Sequence, residues 1–169
     1  MFTVEINDTE VLAALDRATA VLTDATAMMN EIGGFLRDQV EDRFKTQAGP
    51  DGTAWAPRSA ATLKSYERRK LKFGAILHLT GQLSGNIFHE YDADSARVGS
   101  PEPYAAVQQF GAEQGAFGAF MGKDKLGRDH FHHLPWGNIP ARPFLGFSDE
   151  DRAGILDIVT ETISAALEG

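Results

Sequence analysis

Residues 48–57 read Ala48-Gly49-Pro50-Asp51-Gly52-Thr53-Ala54-Trp55-Ala56-Pro57, and this stretch decides the class of fold. No helix passes through it, because Pro50 lacks a backbone donor and Gly49 and Gly52 weaken the helix on either side. Pro50-Asp51-Gly52 forms a sharp turn, with Pro50 presetting φ and Gly52 free to take φ > 0. Trp55 anchors that turn by burying its large ring. The chain before the turn carries helical periodicity, and the chain beyond it mixes short helices with β-forming runs. The class is α+β, with helices at both ends and a small antiparallel sheet between them.

Upstream of the turn, Asn7-Asp8-Thr9 offers helix caps and Glu10 puts an acid where the helix dipole favours it. Val11, Leu15, Ala18, Leu22, Ala25, Met29, Ile32, Leu36, Val40 and Phe44 then recur at helical spacing. Unbroken, residues 9–46 would span roughly 55 Å at 1.5 Å per residue. A globule of this chain length is only about 40 Å across. The long N-terminal helical region over 9–46 is therefore expected to break, and Gly33-Gly34 is the predicted break point.

Downstream, Ser59 caps a helix that carries Arg68, Arg69, Lys70 and Lys72 at its C-terminal end and closes by Gly74. Thr80-Gly81-Gln82-Leu83 reads as a helix start or tight turn. Asn86–Tyr91 and Ala96–Gly99 read as a hairpin about Asp92-Ala93-Asp94-Ser95. Pro103 to Gly111 is a short helix, with Pro at its start and Gly at its end. Residues 112–139 form a long Gly- and aromatic-rich loop or hairpin arm, in which Ala116–Met121 and Arg128–His133 can pair. The last helix begins at Ser148-Asp149-Glu150-Asp151, and its apolar stripe is Ile155, Ile158, Val159, Thr162, Ile163 and Ala166. Residues 1–169 are read as a single domain.

The 169 residues include 16 Lys+Arg against 24 Asp+Glu, a net charge of −8. Cysteine is absent, which excludes disulfides, thiol catalysis and Cys-rich zinc modules together. There is no 18-residue apolar run and no secretory leader pattern at Met1-Phe2-Thr3-Val4-Glu5, so the expectation is a reducing cytoplasm and no membrane. Charge is unevenly placed: residues 1–42 carry nine acids and two bases, whereas 43–80 carry eight bases and two acids. An acidic chain with one basic stretch is a poor binder of phosphate backbones, so no specific nucleic acid is expected. It suits charge-complementary contact with other proteins, including copies of itself.

Candidate chemistry is thin. Asp129-His130-Phe131-His132-His133 is the one cluster with metal-ligand character, His130 and His132 lying on one side of a strand with Asp129 adding an oxygen. A second ligand set with convincing spacing is missing, so neither a metal nor another cofactor is expected. Neither a Gly-x-Ser-x-Gly elbow nor a Gly-rich phosphate loop occurs, and no catalytic residue is assigned. Two other classes remain open from the residues alone. One is a metal-dependent hydrolase built on Asp129, His130 and His132; the other is a nucleic-acid-binding module using the basic residues between Arg58 and Lys72.

The order of the punctuating motifs resembles the phage virion morphogenesis family, the tail completion proteins of tailed bacteriophages. The resemblance runs from Phe44 through Pro50-Asp51-Gly52-Thr53-Ala54-Trp55-Ala56-Pro57, then Ser59 and Thr62-Leu63. It continues in Ile76-Leu77, Leu79-Thr80-Gly81-Gln82-Leu83, Val98-Gly99, Tyr104-Ala105, Phe110-Gly111 and Ile139-Pro140-Ala141-Arg142-Pro143-Phe144-Leu145-Gly146, and closes on Ser148-Asp149-Glu150-Asp151. Trp55, Gly81 and Gly111 read as fold determinants within it. Pro140 and Pro143 bracket Arg142, so that a rigid, exposed guanidinium becomes an interface candidate, together with Phe117, Phe120, Phe131 and Trp136 in the arm. The resemblance implies a non-enzymatic assembly protein acting in tail completion or head–tail joining. Its implied partners are itself, as a ring-like homo-oligomer with a hexamer in view, tail-tube or terminator subunits, and head–tail connector proteins. The implied location is the host cytoplasm during assembly and then the virion.

Overall fold

The N-terminal helical region breaks at Asp24. In the computed structural model, which describes residues 8–168, helix α1 spans Thr9–Thr23 and helix α2 spans Thr26–Thr46. Asp24 ends the first and starts the second: its backbone N–H donates to the Ala20 carbonyl, and its carboxylate accepts from the Thr26 N–H at 3.1 Å. Gly33-Gly34, the expected break, lies inside α2. The reason is tertiary, since a Cβ on Gly33 would sit 2.8 Å from the His89 ring, which the bare backbone admits. The His89 ring is fixed in turn by a 3.0 Å hydrogen bond between its Nε2 and the Asn30 side chain. Of the expected α1 caps, Asn7 lies outside the described residues. Asp8 holds the cap position but makes no side-chain capping bond.

Beyond α2 come α3 (Ala60–Arg68), α4 (Gln82–Gly85), strands β1 (Phe88–Tyr91) and β2 (Ala96–Gly99), and α5 (Ala105–Phe110). Strands β3 (Ala119–Lys123) and β4 (Asp129–His133) and helix α6 (Asp149–Glu168) complete the chain. The fold is α+β, with β1–β2 and β3–β4 as separate two-stranded antiparallel pairs. Ser59 caps α3 as expected, its side chain accepting from the Thr62 N–H, but the helix stops at Arg68 and not at Gly74. Lys70, at φ 53°, has already left helical geometry.

Four turns share one fastening. Asp24, Asp51, Asp92 and Asp124 each accept a hydrogen bond from the backbone N–H two residues on, at Thr26, Thr53, Asp94 and Leu126. Short acidic side chains favour such turns because their oxygens reach local backbone donors. These bonds favour the charged form, and all four carboxyls titrate below the ordinary 3.8. For Asp24 the leading cause is the Thr26 hydroxyl, and for the other three it is a backbone N–H.

The chain divides into two compact units. The first comprises residues up to Gln39, with Phe88–Val98 and Asp149 onward. Its core is Ala25, Met28, Ile32 and Leu36, covered by Ala96 and Val98 of the hairpin and by Ile155, Ile158 and Val159 of α6. Gly154 lies against Phe35 so closely that a Cβ there would meet the ring at 2.3 Å. Helix α1 packs on α6, and Arg17 donates to the Ala166 carbonyl at 2.8 Å and to that of Leu167.

The second unit comprises Val40–Ile87 and Gly99–Ser148. Trp55, as expected, is buried beyond the Pro50-Asp51-Gly52 turn, its ring edge-on to Phe44 at 5.4 Å. Phe44 in turn meets Phe144, the most deeply buried aromatic in the unit. No helix among the described residues is long and apolar enough to cross a membrane.

Candidate assembly interface

Residues 139–146 belong to no helix or named strand, so their backbone groups need other partners. Side chains supply them. Trp55 Nε1 donates to the Pro143 carbonyl at 2.8 Å, and Arg43 Nη1 donates to the carbonyls of Phe144 and Gly146, each at 2.9 Å. The Gln109 amide oxygen accepts from the N–H groups of Phe144 and Leu145, and its Nε2 donates back to the Leu145 carbonyl. Arg142 donates through Nε to the Ala56 carbonyl at 2.7 Å and through Nη2 to that of Pro57 at 3.0 Å. The expectation of an exposed Arg142 is thus corrected: it is buried, with 7% of its surface accessible. Its guanidinium is aimed at carbonyls more than eighty residues upstream.

Gly111 closes α5 at φ +75°, where a Cβ would stand 2.7 Å from the Ile139 carbonyl oxygen and 2.8 Å from the Ala141 nitrogen. Only glycine fits that approach. It roots the 112–139 segment, which leaves and re-enters the unit through paired hydrogen bonds between Ala112 and Ile139. The segment is the expected hairpin arm. Beyond the root, Phe117 donates to the Leu134 carbonyl and β3 pairs with β4, with Phe120 opposite His132 and Met121 opposite Phe131. Among the described helices and strands, these two share extensive contacts only with each other.

Each face of this ribbon carries exposed apolar side chains. On one, His132 stacks on Phe120 with ring centres 5.1 Å apart and also touches Trp136, over Gly122, which leaves room for the ring. On the other lie Met121 and Phe131. Phe117, Phe120, Met121 and Phe131 are each more than half exposed, and Trp136 is 69% exposed. The alternation that puts His130 and His132 together turns Asp129 to the opposite face, where it pairs with Lys123. No group of three or more potential metal ligands converges among the described residues.

The motif residues fall into two sets. Phe144, Trp55 and Leu83 are core. Pro50 packs beneath Gly146, Asp51 and Gly52 build the turn, and Gly81 opens α4 at φ +80°. Leu79, Tyr104 and Phe110 are surface residues instead, Phe110 with 78% of its area accessible. Leu79 and Tyr104 line a cleft of about 550 Å³ in the second unit, with Thr80, Pro140, Arg58 and Arg142. Arg58 is held there by Tyr66 and Phe73, whose ring centres lie 5.8 and 5.4 Å from its guanidinium carbon, and by the carbonyls of Gly74 and Ala75. Burial lowers the Arg142 pKa below its ordinary value, and the like charge of Arg58 adds to the effect. No carboxylate stands among the described residues that line the cleft.

An arm with exposed aromatic side chains and a cleft lined by Arg58 and Arg142, with no converging metal ligands among the described residues, fit a structural protein. The chain belongs to the phage virion morphogenesis family, whose model matches residues 6–164. It is 30% identical to protein G of Escherichia phage Mu, named provisionally for capsid assembly, over 97% of this chain and 95% of that one. It is 31% identical to G protein 2 of the Mu-like prophage FluMu of Haemophilus influenzae, over 95% of each chain. Tail completion protein S of Escherichia phage P2 is 28% identical, over 82% of this chain and 81% of its own. No solved structure matches. The chain is a non-enzymatic structural protein of phage assembly.

Proposed function

We propose that the protein completes the tail, or joins it to the head, of a phage or prophage particle by forming a ring of copies on the tail end. The observation that carries this reading is the arm. A two-stranded ribbon is marginal in water by itself, and one with exposed apolar side chains on both faces gains stability when neighbours cover it. Head-to-tail contacts repeat one pair of unlike surfaces around a ring, which closes when the rotation per copy fits. The split of charge along the chain supplies such unlike surfaces, and the relatives' names, tail completion among them, support the location. Phe117, Phe120, Phe131 and Trp136 then contact neighbouring copies or the tail-tube, terminator or connector subunits against which the ring sits. The protein forms in the host cytoplasm and ends in the virion.

Light scattering over a concentration series, at low and high salt, tests this with the full chain and with residues 114–136 replaced by a short Gly-Ser link. Concentration-dependent oligomers lost on replacement are expected, together with failure to complete tails in an assembly assay. A protein monomeric throughout, whose arm-less form still completes tails, would overturn the reading.

A further inference from the structure

We infer that the contact between neighbouring copies seats the exposed face of α1 from one copy in the cationic cleft of the next. This rests on the self-association proposed above and names its two surfaces. The cleft combines apolar walls, at Ile76, Leu79 and Ile139, with charge of one sign, from Arg58 and Arg142. Each guanidinium has five N–H donors. The carbonyls of Gly74 and Ala75 engage only two of those on Arg58, which leaves donors for a carboxylate from outside. Low-dielectric walls focus the field of such a pair, in a chain whose net charge is −8.

Helix α1 presents the complementary surface. It has no buried residue, and Val11, Leu12, Leu15 and Leu22 are all more than half exposed. At about 100° per residue, Val11, Leu15 and Leu22 fall on one narrow stripe, with Leu12 beside it. The half-buried Ala14, Ala18 and Val21 form the adjacent face. Asp16 borders the exposed stripe on its Leu12 side, whereas Glu10 lies beyond the half-buried face. Between residues 8 and 24 stand four carboxylates and one arginine, and that arginine, Arg17, is tied to carbonyls of α6. Pairing α1 with its own copy would bring these carboxylates together, whereas the cleft offers them guanidinium donors and covers the leucines with apolar walls. One contact thus accounts for both surfaces, and because they are unlike it repeats head to tail.

The chain has no cysteine, so a pair of introduced thiols reports a single contact. Full-length V11C and L79C variants are mixed under mild oxidation, with L156C, exposed on α6, replacing V11C in the control. The V11C–L79C disulfide is expected to form at least about tenfold faster than the control pair, because the contact raises effective concentration. Charge reversal gives a second arm. Asp16→Lys slows the cross-link, and Arg58→Glu in the L79C copy restores it, which also shows that the substituted copy folds. Oligomers that form while V11C and L79C link no faster than the control overturn this inference and leave self-association standing. A chain monomeric at every concentration, with no cross-link, removes both.

Discussion

Gln109 is the test of whether side chains hold the 139–146 segment. Its amide accepts from Phe144 N at 2.9 Å and Leu145 N at 3.0 Å, and donates to Leu145 O at 2.9 Å. Gln109→Leu preserves approximate volume but removes all three bonds and strands three part-buried backbone groups. At about 1 kcal/mol for each net bond, the loss is about 3 kcal/mol. Gln109→Glu keeps an acceptor for both N–H groups and loses only the donor, so it should fall between Leu and the native residue. The assay is urea unfolding followed by Trp55 emission in a Trp136→Phe background, where the buried Trp55 alone reports its own unit. With an m-value of about 1–3 kcal/mol/M, the midpoint should drop by roughly 1–3 M for Gln109→Leu at unchanged slope. A loss under about 0.5 kcal/mol, within the scatter of ordinary surface substitutions, would refute the bracket. So would Glu proving as damaging as Leu.

Gly111→Ala should destabilise the same unit by more than the roughly 1–2 kcal/mol of left-handed strain alone, because its Cβ would meet backbone at 2.7 Å; the Trp55 midpoint measures it. Arg142→Lys keeps the charge but loses the planar fork that reaches the Ala56 and Pro57 carbonyls, and should cost about 1–3 kcal/mol in the same assay. The Asp51 carboxyl is held below 3.8 by bonds from Thr53, so its contribution is present above that pH and is lost as pH falls through the lower folded value. Asp51→Asn should therefore flatten the acid limb of stability against pH, which thermal melts between about pH 2 and 6 would record.

The helices, the two hairpins and the turn at Pro50 were legible in the sequence because periodicity and turn chemistry are local. The break at Asp24 was equally local, a cap two residues before Thr26, but the Gly33-Gly34 pair outcompeted it as a signal. The use of Gly33 is visible only once His89 is folded against it. The burial of Arg142 was illegible, since the carbonyls it serves lie at residues 56 and 57. The cleft joins four separated stretches, and no spacing rule connects them. A signal did exist: Leu79-Thr80, Tyr104 and Ile139-Pro140 carried the family resemblance, yet their exposed or half-exposed side chains build little core. Motif residues that do not pack inward are candidates for a surface that works.

The second unit is fastened without the strands of its arm, which is what the proposed assembly contact needs. A sheet protein spends its strands on its own core, because strand pairing is what satisfies the backbone there. Here the central irregular segment is satisfied by Trp55, Arg43, Gln109 and Arg142, through side-chain bonds to its backbone or from it. The aromatic core of Phe44, Trp55 and Phe144 closes without any residue of β3 or β4. The arm is joined to that core through the Ala112–Ile139 root, where Gly111 fixes the approach. Among the described residues, the bonds that define the core include none from β3 or β4, so on the proposed reading the ribbon is open to other chains. If the ribbon is the proposed contact element, this division of labour lets it vary without unfolding the unit that carries it.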